Sequence, residues 1–368
     1  MAVWRSPAGL TMRLPEERNG TAALAALTAA GIMSGLGVWA MRKRTRPRFS
    51  FAGRTIIITG GARGLGLGLA RQLGSEGAEI VLVSRTAEEL ERAARDLQTK
   101  GARVRWFPCD IRDPAAVQTL VDDVVNETGR LDVLINNAGI IQSMPFGRTT
   151  NEDFAESLDT HFWGPLHLIR AALPHLQKSE GRIVNISSIG GRIAVPHLLP
   201  YCVGKFAVTA LSDGLHAELA PRGISVLTVT PGLMRTGSHR NVKVRGHHVA
   251  EARMFALADA TPLTSMNVER AARKIVEACR RRRARITPGR QARAAEILNA
   301  LAPELTSAAM ARAAALLPGE GPAAGDQAIR SRDLQLGWLS KLFPTGAAVR
   351  MNQPVAADEA RGWRARRP

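Results

Sequence analysis

From residue 51 onward the chain alternates short β-branched runs with longer stretches that mix apolar and charged positions. Thr55–Thr59 reads TIIIT and Ile80–Ser84 reads IVLVS, unbroken apolar runs of the length and type of strands buried on both faces. Val104–Phe107, Val133–Asn136, Ile183–Ser187 and Val226–Thr230 continue the series. Between them lie helical patterns at Leu65–Ser75, at Ala87–Lys100, after Asp113-Pro114, and near 152–176 and 201–219. A last one near 267–283 leads into Arg285–Thr287. Asp before Pro suits a helix N-cap followed by the first helical position. Strands separated by helices predict parallel pairing through crossovers. The fold class is therefore α/β, a doubly wound Rossmann-type parallel sheet of about seven strands with helices on both faces.

The pattern divides the chain into residues 1–50, a core of 51–290 and a C-terminal extension of 291–368. The extension carries short helical patterns at Ala292–Leu301 and Ala308–Leu317 before Pro- and Gly-rich sequence, and Arg361–Pro368 is expected to be disordered. The extension could cap a cleft or mediate association. In the first zone, Asn19–Met41 is uncharged and long enough to span a bilayer, though rich in Ala and Gly. Arg42, Lys43, Arg44, Arg46 and Arg48 follow it. This predicts a membrane anchor with a cytoplasmic core. The alternatives are an interfacial or unfolded leader on a cytoplasmic protein, and a cleaved signal with a poor site at Val38-Trp39-Ala40.

Composition changes this picture in two ways. The formal net charge is +18, from 50 Lys and Arg against 32 Asp and Glu, which points to an anionic partner. An anionic membrane surface is the expected one, through the basic flank and the run Arg280–Arg283 with Arg285. The rival for that run is a solvated helix end, and no nucleic-acid motif accompanies the charge. Second, Cys109, Cys202 and Cys279 are too few and too scattered for a disulfide framework or a zinc site. No metal is expected.

Candidate chemistry begins directly after the first strand. Thr59–Gly66 reads TGGARGLG, and the spacing G-x-x-x-G-x-G places Gly60, Gly64 and Gly66, with Leu65, where a chain must turn tightly into a helix. That geometry lets backbone approach a pyrophosphate at a helix N-terminus. The end of the second strand, where an acidic side chain would bind the ribose hydroxyls of NAD, reads Ser84-Arg85. No carboxylate stands there to repel a 2′-phosphate, and Arg63 and Arg85 could bind one.

The loop resembles that of the short-chain dehydrogenase/reductase family, and the likeness extends over about 51–290. Asn136-Asn137-Ala138-Gly139 resembles the family's motif after the fourth strand. Asp110-Ile111 is similar to the pair that contacts adenine, and Pro231-Gly232 with Thr236 to the segment that contacts the nicotinamide amide. With basic residues at 63 and 85, the resemblance implies NADP(H), with NAD(H) the disfavoured alternative. It also implies a homo-oligomer.

Tyr201, the only Tyr in the chain, and Lys205 form Y-x-x-x-K, one turn apart on a helix face. A nearby ammonium, together with the positive charge of oxidised nicotinamide, favours phenolate, so Tyr201 is expected to exchange a proton with the substrate oxygen near neutral pH. The resemblance implies that Lys205 also binds the nicotinamide ribose. Ser188, 13 residues before Tyr201, is the expected hydrogen-bond partner of the substrate oxygen, with Ser187 as rival. Where the family commonly has an Asn, this chain has His161. It could hold a water behind Lys205 or be purely structural.

By position, the resemblance implies that Thr236 to about Leu263 covers the substrate. Arg240, Lys243, Arg245, His247 and His248 precede Met254, Phe255 and Leu257, a mixture suited to an apolar ketone with a polar end or to a lid on a membrane. The expected function is interconversion of a small-molecule, mainly apolar, carbonyl or alcohol. The alternative is a non-catalytic dinucleotide-binding sensor or assembly protein.

Overall fold

In a computed structural model that describes residues 49–260 and 265–334, the β-branched runs form the centre of the molecule. Strand β1 (Thr55–Thr59) is buried at every position and is followed by helix α1 (Gly64–Ser75). Strand β2 (Glu79–Ser84), helix α2 (Ala87–Gln98), strand β3 (Arg103–Pro108) and helix α3 (Pro114–Thr128) complete the first half. Asp113 caps α3 by accepting from the N–H groups of Ala115 and Ala116, at 2.9 and 3.2 Å. Gly129 ends the helix in the left-handed conformation.

Strand β4 (Val133–Asn136) opens the second half and leads to the two-residue strand β5 (Gln142–Ser143). The helical stretch read near 152–176 is two helices, α4 (Asn151–Leu158) and α5 (Gly164–Lys178), joined by a π-helical turn at Asp159–Trp163. Strand β6 (Arg182–Ile186), helix α6 (Leu199–Leu219) and strand β7 (Ser225–Val229) follow. Next come β8 (Met234–Arg235), β9 (Lys243–Val244) and helix α7 (His248–Ala260). Then come β10 (Met266–Asn267), helix α8 (Val268–Arg280) and β11 (Arg285–Ile286). The extension folds as helices α9 (Arg290–Leu301) and α10 (Pro303–Ala314) and strand β12 (Ile329–Arg330).

The main sheet has seven strands in the order β11-β7-β6-β4-β1-β2-β3. All neighbours pair in parallel. The order reverses between β1 and β4, and ligands of such sheets bind in the crevice beyond the strand C-termini at this point. One apolar cluster packs α3 and α5 on the sheet through Val117, Leu120, Leu168, Ile169 and Ile183. A smaller one joins Val242, Val244, Ala252 and Phe255 above the crevice. The short strands β5, β9 and β12 form a second sheet, which ties the extension to the segment after β8.

No helix among the described residues is long and apolar enough to cross a membrane. The uncharged stretch Asn19–Met41, its basic flank and Arg361–Pro368 lie outside the described residues. The arginine run at the end of α8 is engaged within the protein. Arg280 pairs with Glu76 and Glu277, Arg281 with Glu277, and Arg282 donates to the carbonyl of Gly223 at 2.9 Å. Arg285 pairs with Asp213.

Candidate active site

The turn from β1 into α1 is shaped by what its neighbours leave no room for. Gly60 has a left-handed φ of 62°, and a Cβ there would sit 3.0 Å from Cα of Ala138. A Cβ on Gly66 would lie 2.2 Å from the carbonyl oxygen of Gly60, so only glycine allows the loop to close on the helix. Arg63 occupies the N-cap of α1 in an extended conformation without a side-chain cap. The first N–H groups of α1 therefore keep their donor capacity beside Gly64 and Leu65 on the cleft wall. Such a terminus has the donors that could cradle a phosphate anion.

Residues from the ends of the neighbouring strands hold this turn. Asn137 donates from its amide nitrogen to the carbonyls of Thr59 and Gly60 at 2.9 and 3.2 Å. The backbone N–H groups of Asn137 and Ala138 both donate to Oγ1 of Thr59 at 3.0 Å. Thr236 lies over Gly64, with its Cβ 3.4 Å from where a Cβ on that glycine would be. One cleft of about 1100 Å³ runs past the loop and is also lined by Ser84, Arg85, Asp110, Ile111, Gly139 and Pro231-Gly232.

The end of the cleft at Ser84 and Arg85 differs in one respect from the sequence expectation. The end of β2 offers no carboxylate, but Glu89 on the first turn of α2 reaches the same wall. Its oxygens lie 3.0 and 3.2 Å from Nη1 of Arg63. Arg92 joins Arg85 on that wall. Asp110 is held by Arg112, whose guanidinium keeps the carboxyl below its ordinary range despite partial burial.

Ser188, Tyr201 and Lys205 line the same cleft. Ser188 follows β6 and shares this cleft with the phenol of Tyr201. Its Oγ also accepts from the N–H of Gly190 at 3.1 Å. Ser187 is turned the other way. Its hydroxyl bonds the carbonyl of Lys205 at 2.9 Å and Oγ1 of Thr209 at 2.7 Å, so it is spent inside α6. Lys205 donates to the carbonyl of Ile186 at 2.9 Å, and its Nζ is 5.7 Å from the centroid of the Tyr201 ring.

The electrostatics depart from the expected phenolate. Burial pushes the Lys205 amine down to about 7. Burial also pushes the Tyr201 phenol up to about 12, against the opposing hydrogen bond from Ser188. Desolvation is the largest cause at both groups, since burial disfavours whichever form carries charge. In this geometry Tyr201 carries its proton, which suits an acid donating to a developing alkoxide.

His161 sits on the π-helical turn with 1% of its surface exposed. Nε2 lies 3.2 Å from the backbone N–H of Ile140, which donates to it. Nδ1 lies 3.2 Å from Oγ of Ser157, which itself donates to the carbonyl of Pro200 at 2.6 Å. With Nε2 accepting, the proton resides on Nδ1 and is donated to Ser157, so both ring nitrogens are committed to protein. Burial and the Lys205 charge hold the ring well below its ordinary pKa, hence neutral. Its ring meets Tyr201 edge-on at 5.5 Å. Gly204 permits this packing, since a Cβ there would be 2.7 Å from Ser157 Oγ and 2.8 Å from His161 Nδ1.

The C-terminal extension, expected either to cap a cleft or to mediate association, lines this one, and two further residues on its wall were not read from the sequence. Met310, Ala313 and Leu317, in and just after α10, form part of its wall, with Arg330 and Arg332 at its edge. A Cβ on Gly232 would lie 3.1 Å from the Cβ of Ala292, so the extension closes directly over the Pro231-Gly232 segment. His197 and Ser143 also face the cleft.

The short chain dehydrogenase family model matches residues 54–245, just over half of the chain. The chain belongs to the short-chain dehydrogenase/reductase family. Members are oxidoreductases that interconvert CH–OH and C=O groups with NAD or NADP. The chain is 35% identical over 183 residues to the L-fucose dehydrogenase of Oryctolagus cuniculus, covering 50% of this chain and 63% of that protein. It thus spans under two-thirds of that relative's length. It is 30% identical over 300 residues to the fatty acyl-CoA reductase of Acinetobacter baylyi, covering 81% and 96%.

Among solved structures, the L-sorbose reductase of Gluconobacter frateurii complexed with NADPH and L-sorbose superposes with a TM-score of 0.58 at 26% identity. That match covers 65% of this chain and 95% of that one. A short-chain dehydrogenase/reductase of Burkholderia phymatum in complex with NAD gives 0.64 at 25% identity, covering 70% and 96%.

Proposed function

We propose that this protein is an NADP(H)-dependent carbonyl reductase that also runs as an alcohol dehydrogenase. One observation carries the reading: Ser188, Tyr201 and Lys205 line one cleft with an uncapped helix N-terminus behind a glycine turn. The α1 N-terminus and the loop at Gly60–Gly66 would hold the pyrophosphate. Asp110 and Ile111 would flank the adenine, and Pro231-Gly232 with Thr236 the nicotinamide. Arg85, Arg92 and Arg63 favour a 2′-phosphate, by charge-assisted hydrogen bonds. When bound, the dinucleotide supplies a hydride from nicotinamide C4, or accepts one there.

Each of the chain's own groups has a definite task. Ser188 donates to the substrate oxygen and fixes it beside the phenol of Tyr201. Tyr201 gives its proton to that oxygen as alkoxide character develops, so reduction is the direction that its protonated state supports. Lys205, whose amine burial brings to about 7, returns a proton to Tyr201 from its protonated form and binds the ribose. His161, with both nitrogens engaged by Ile140 and Ser157, holds the start of the loop after β4 in place behind Lys205.

The substrate is a small carbonyl compound with apolar bulk. Phe255, Met254, Leu198, Met310 and Leu317 supply apolar wall on the side away from the glycine loop. The sensor reading has less support, because the residues of a proton-transfer site are all present in one cleft. The test is NADPH oxidation by the full chain across a panel of ketones and aldehydes. Turnover with at least one, faster with NADPH than NADH, is expected. Binding of NADPH without turnover of any carbonyl would establish the sensor reading instead.

A further inference from the structure

Beside the reaction centre lies a second polar cluster, brought together from three elements. Glu251 on α7 is fully buried, with 0% exposure. One carboxylate oxygen lies 2.6 Å from Nδ1 of His197, and the other accepts from the hydroxyl of Ser143 at 2.8 Å. His197 and Ser143 both line the cleft that contains Ser188 and Tyr201. An ionised carboxylate without exposure is costly unless its lone pairs are used. Here both of its oxygens are used on side chains that face the cleft.

The backbone supports the same reading. His197 has a left-handed φ of 62°, which non-glycine residues rarely adopt. Its carbonyl is tied to the N–H of Met144 at 2.8 Å, next to Ser143. Residues held in such conformations concentrate at ligand sites, where surrounding contacts over-determine them. His197 stands four residues before Tyr201, at the entry to α6. Glu251 fixes Nδ1 as the protonated nitrogen, as a carboxylate partner does for a working imidazole. Nε2 has no hydrogen-bond partner among the described residues, so it presents an acceptor to the cleft.

We propose that His197, oriented by Glu251 and flanked by Ser143, is a substrate-binding residue that accepts a hydrogen bond from a hydroxyl near the reacting carbonyl. The substrate class is then a hydroxy ketone or hydroxy aldehyde with an apolar remainder. The inference rests on the carbonyl-reductase reading above and narrows its substrate. Glu251 is a positioning residue, acting only through His197 and Ser143.

The test compares 2-octanone with 3-hydroxy-2-octanone and 4-hydroxy-2-octanone, using the full chain with NADPH. At least one hydroxy ketone is expected to exceed 2-octanone about tenfold or more in kcat/KM, the scale of one buried hydrogen bond to an unpaired partner. In His197→Asn, which tolerates the left-handed backbone but retracts the acceptor, that ratio should fall about tenfold, mainly through KM. Ser143→Ala and Glu251→Gln should lower the ratio in the same direction, with thermal melting checking that each variant folds. A wild-type ratio near one, or equal losses for all three ketones in His197→Asn, would overturn the proposal. If the wild type reduced none of them, the wider panel of ketones and aldehydes would decide the carbonyl-reductase reading separately. Calorimetric binding to the NADPH complex would then decide this site: weaker hydroxy-ketone binding by His197→Asn supports it, and equal binding refutes it.

Discussion

The imidazole of His161 accepts a hydrogen bond from the backbone N–H of Ile140 at 3.2 Å, where the family commonly places an asparagine. Asn could reproduce one such acceptor but not both nitrogens' bonds at the same reach. His161→Ala would leave the Ile140 N–H and the Ser157 hydroxyl side of the ring unfilled in a buried site. A stability loss of about 2–4 kcal/mol is expected, from the cavity and the unpaired donor together. His161→Asn should lose less and keep more turnover. Chemical denaturation and steady-state kinetics of both variants check this, and equality of both with wild type would remove any role for the ring.

Lys205 provides a stability prediction with a definite sign. Burial lowers its amine from 10.5 to about 7 in the folded chain. Between those values the unfolded chain holds more protons than the folded one, so stability rises with pH across about 7 to 10.5. Below about 7 the penalty for charging the buried amine is fully present. Lys205→Met removes it, so the variant should melt above wild type at pH 6, with the difference vanishing toward pH 10.5, while turnover is lost. A variant that melts below wild type at pH 6 would contradict the assigned burial cost.

The cofactor preference turns on charge at one wall of the cleft. Glu89 draws on Arg63, an exposed pair whose own contribution to stability is small. Glu89→Gln should release Arg63 and lower the KM for NADPH several-fold, with little change for NADH. Ser84→Asp combined with Arg85→Ala should shift the preference toward NADH, since the new carboxylate repels a 2′-phosphate and receives ribose hydroxyls. An unchanged NADPH-to-NADH ratio in the double variant would sink the assignment of these residues.

Much of this was legible before the fold was known. The strand runs at 55–59, 80–84 and 133–136 could be read because buried parallel strands are apolar on both faces. The glycine turn and the serine, tyrosine and lysine spacing were legible because their chemistry is local in sequence. Other features were not local. The π-helical turn at Asp159–Trp163 inserts extra backbone without disturbing the composition of an ordinary helix.

Glu89 was missed because a helix first turn normally carries acids, so its reach to Arg63 left no mark. His197 and Glu251 are 54 residues apart, and Ser143 and Glu251 are 108 apart. The helical pattern at Ala308–Leu317 was legible, but which of its residues would line the cleft was not, because the stretch is Ala-rich and carries no motif. The burial that pushes the Tyr201 phenol up was not legible either, because burial depth is a property of packing rather than of spacing.

The central claim is hydride transfer at a carbonyl held by Tyr201. It is tested most directly with NADPH carrying deuterium on the transferring face of C4, tried with each face labelled in turn. For any carbonyl that wild type reduces, the alcohol product should carry one deuterium on the carbinol carbon from one of the two labels. Tyr201→Phe should still bind NADPH while its turnover falls at least about a hundredfold. Alcohol product without deuterium from either label, or a Tyr201→Phe variant as fast as wild type, would contradict the account.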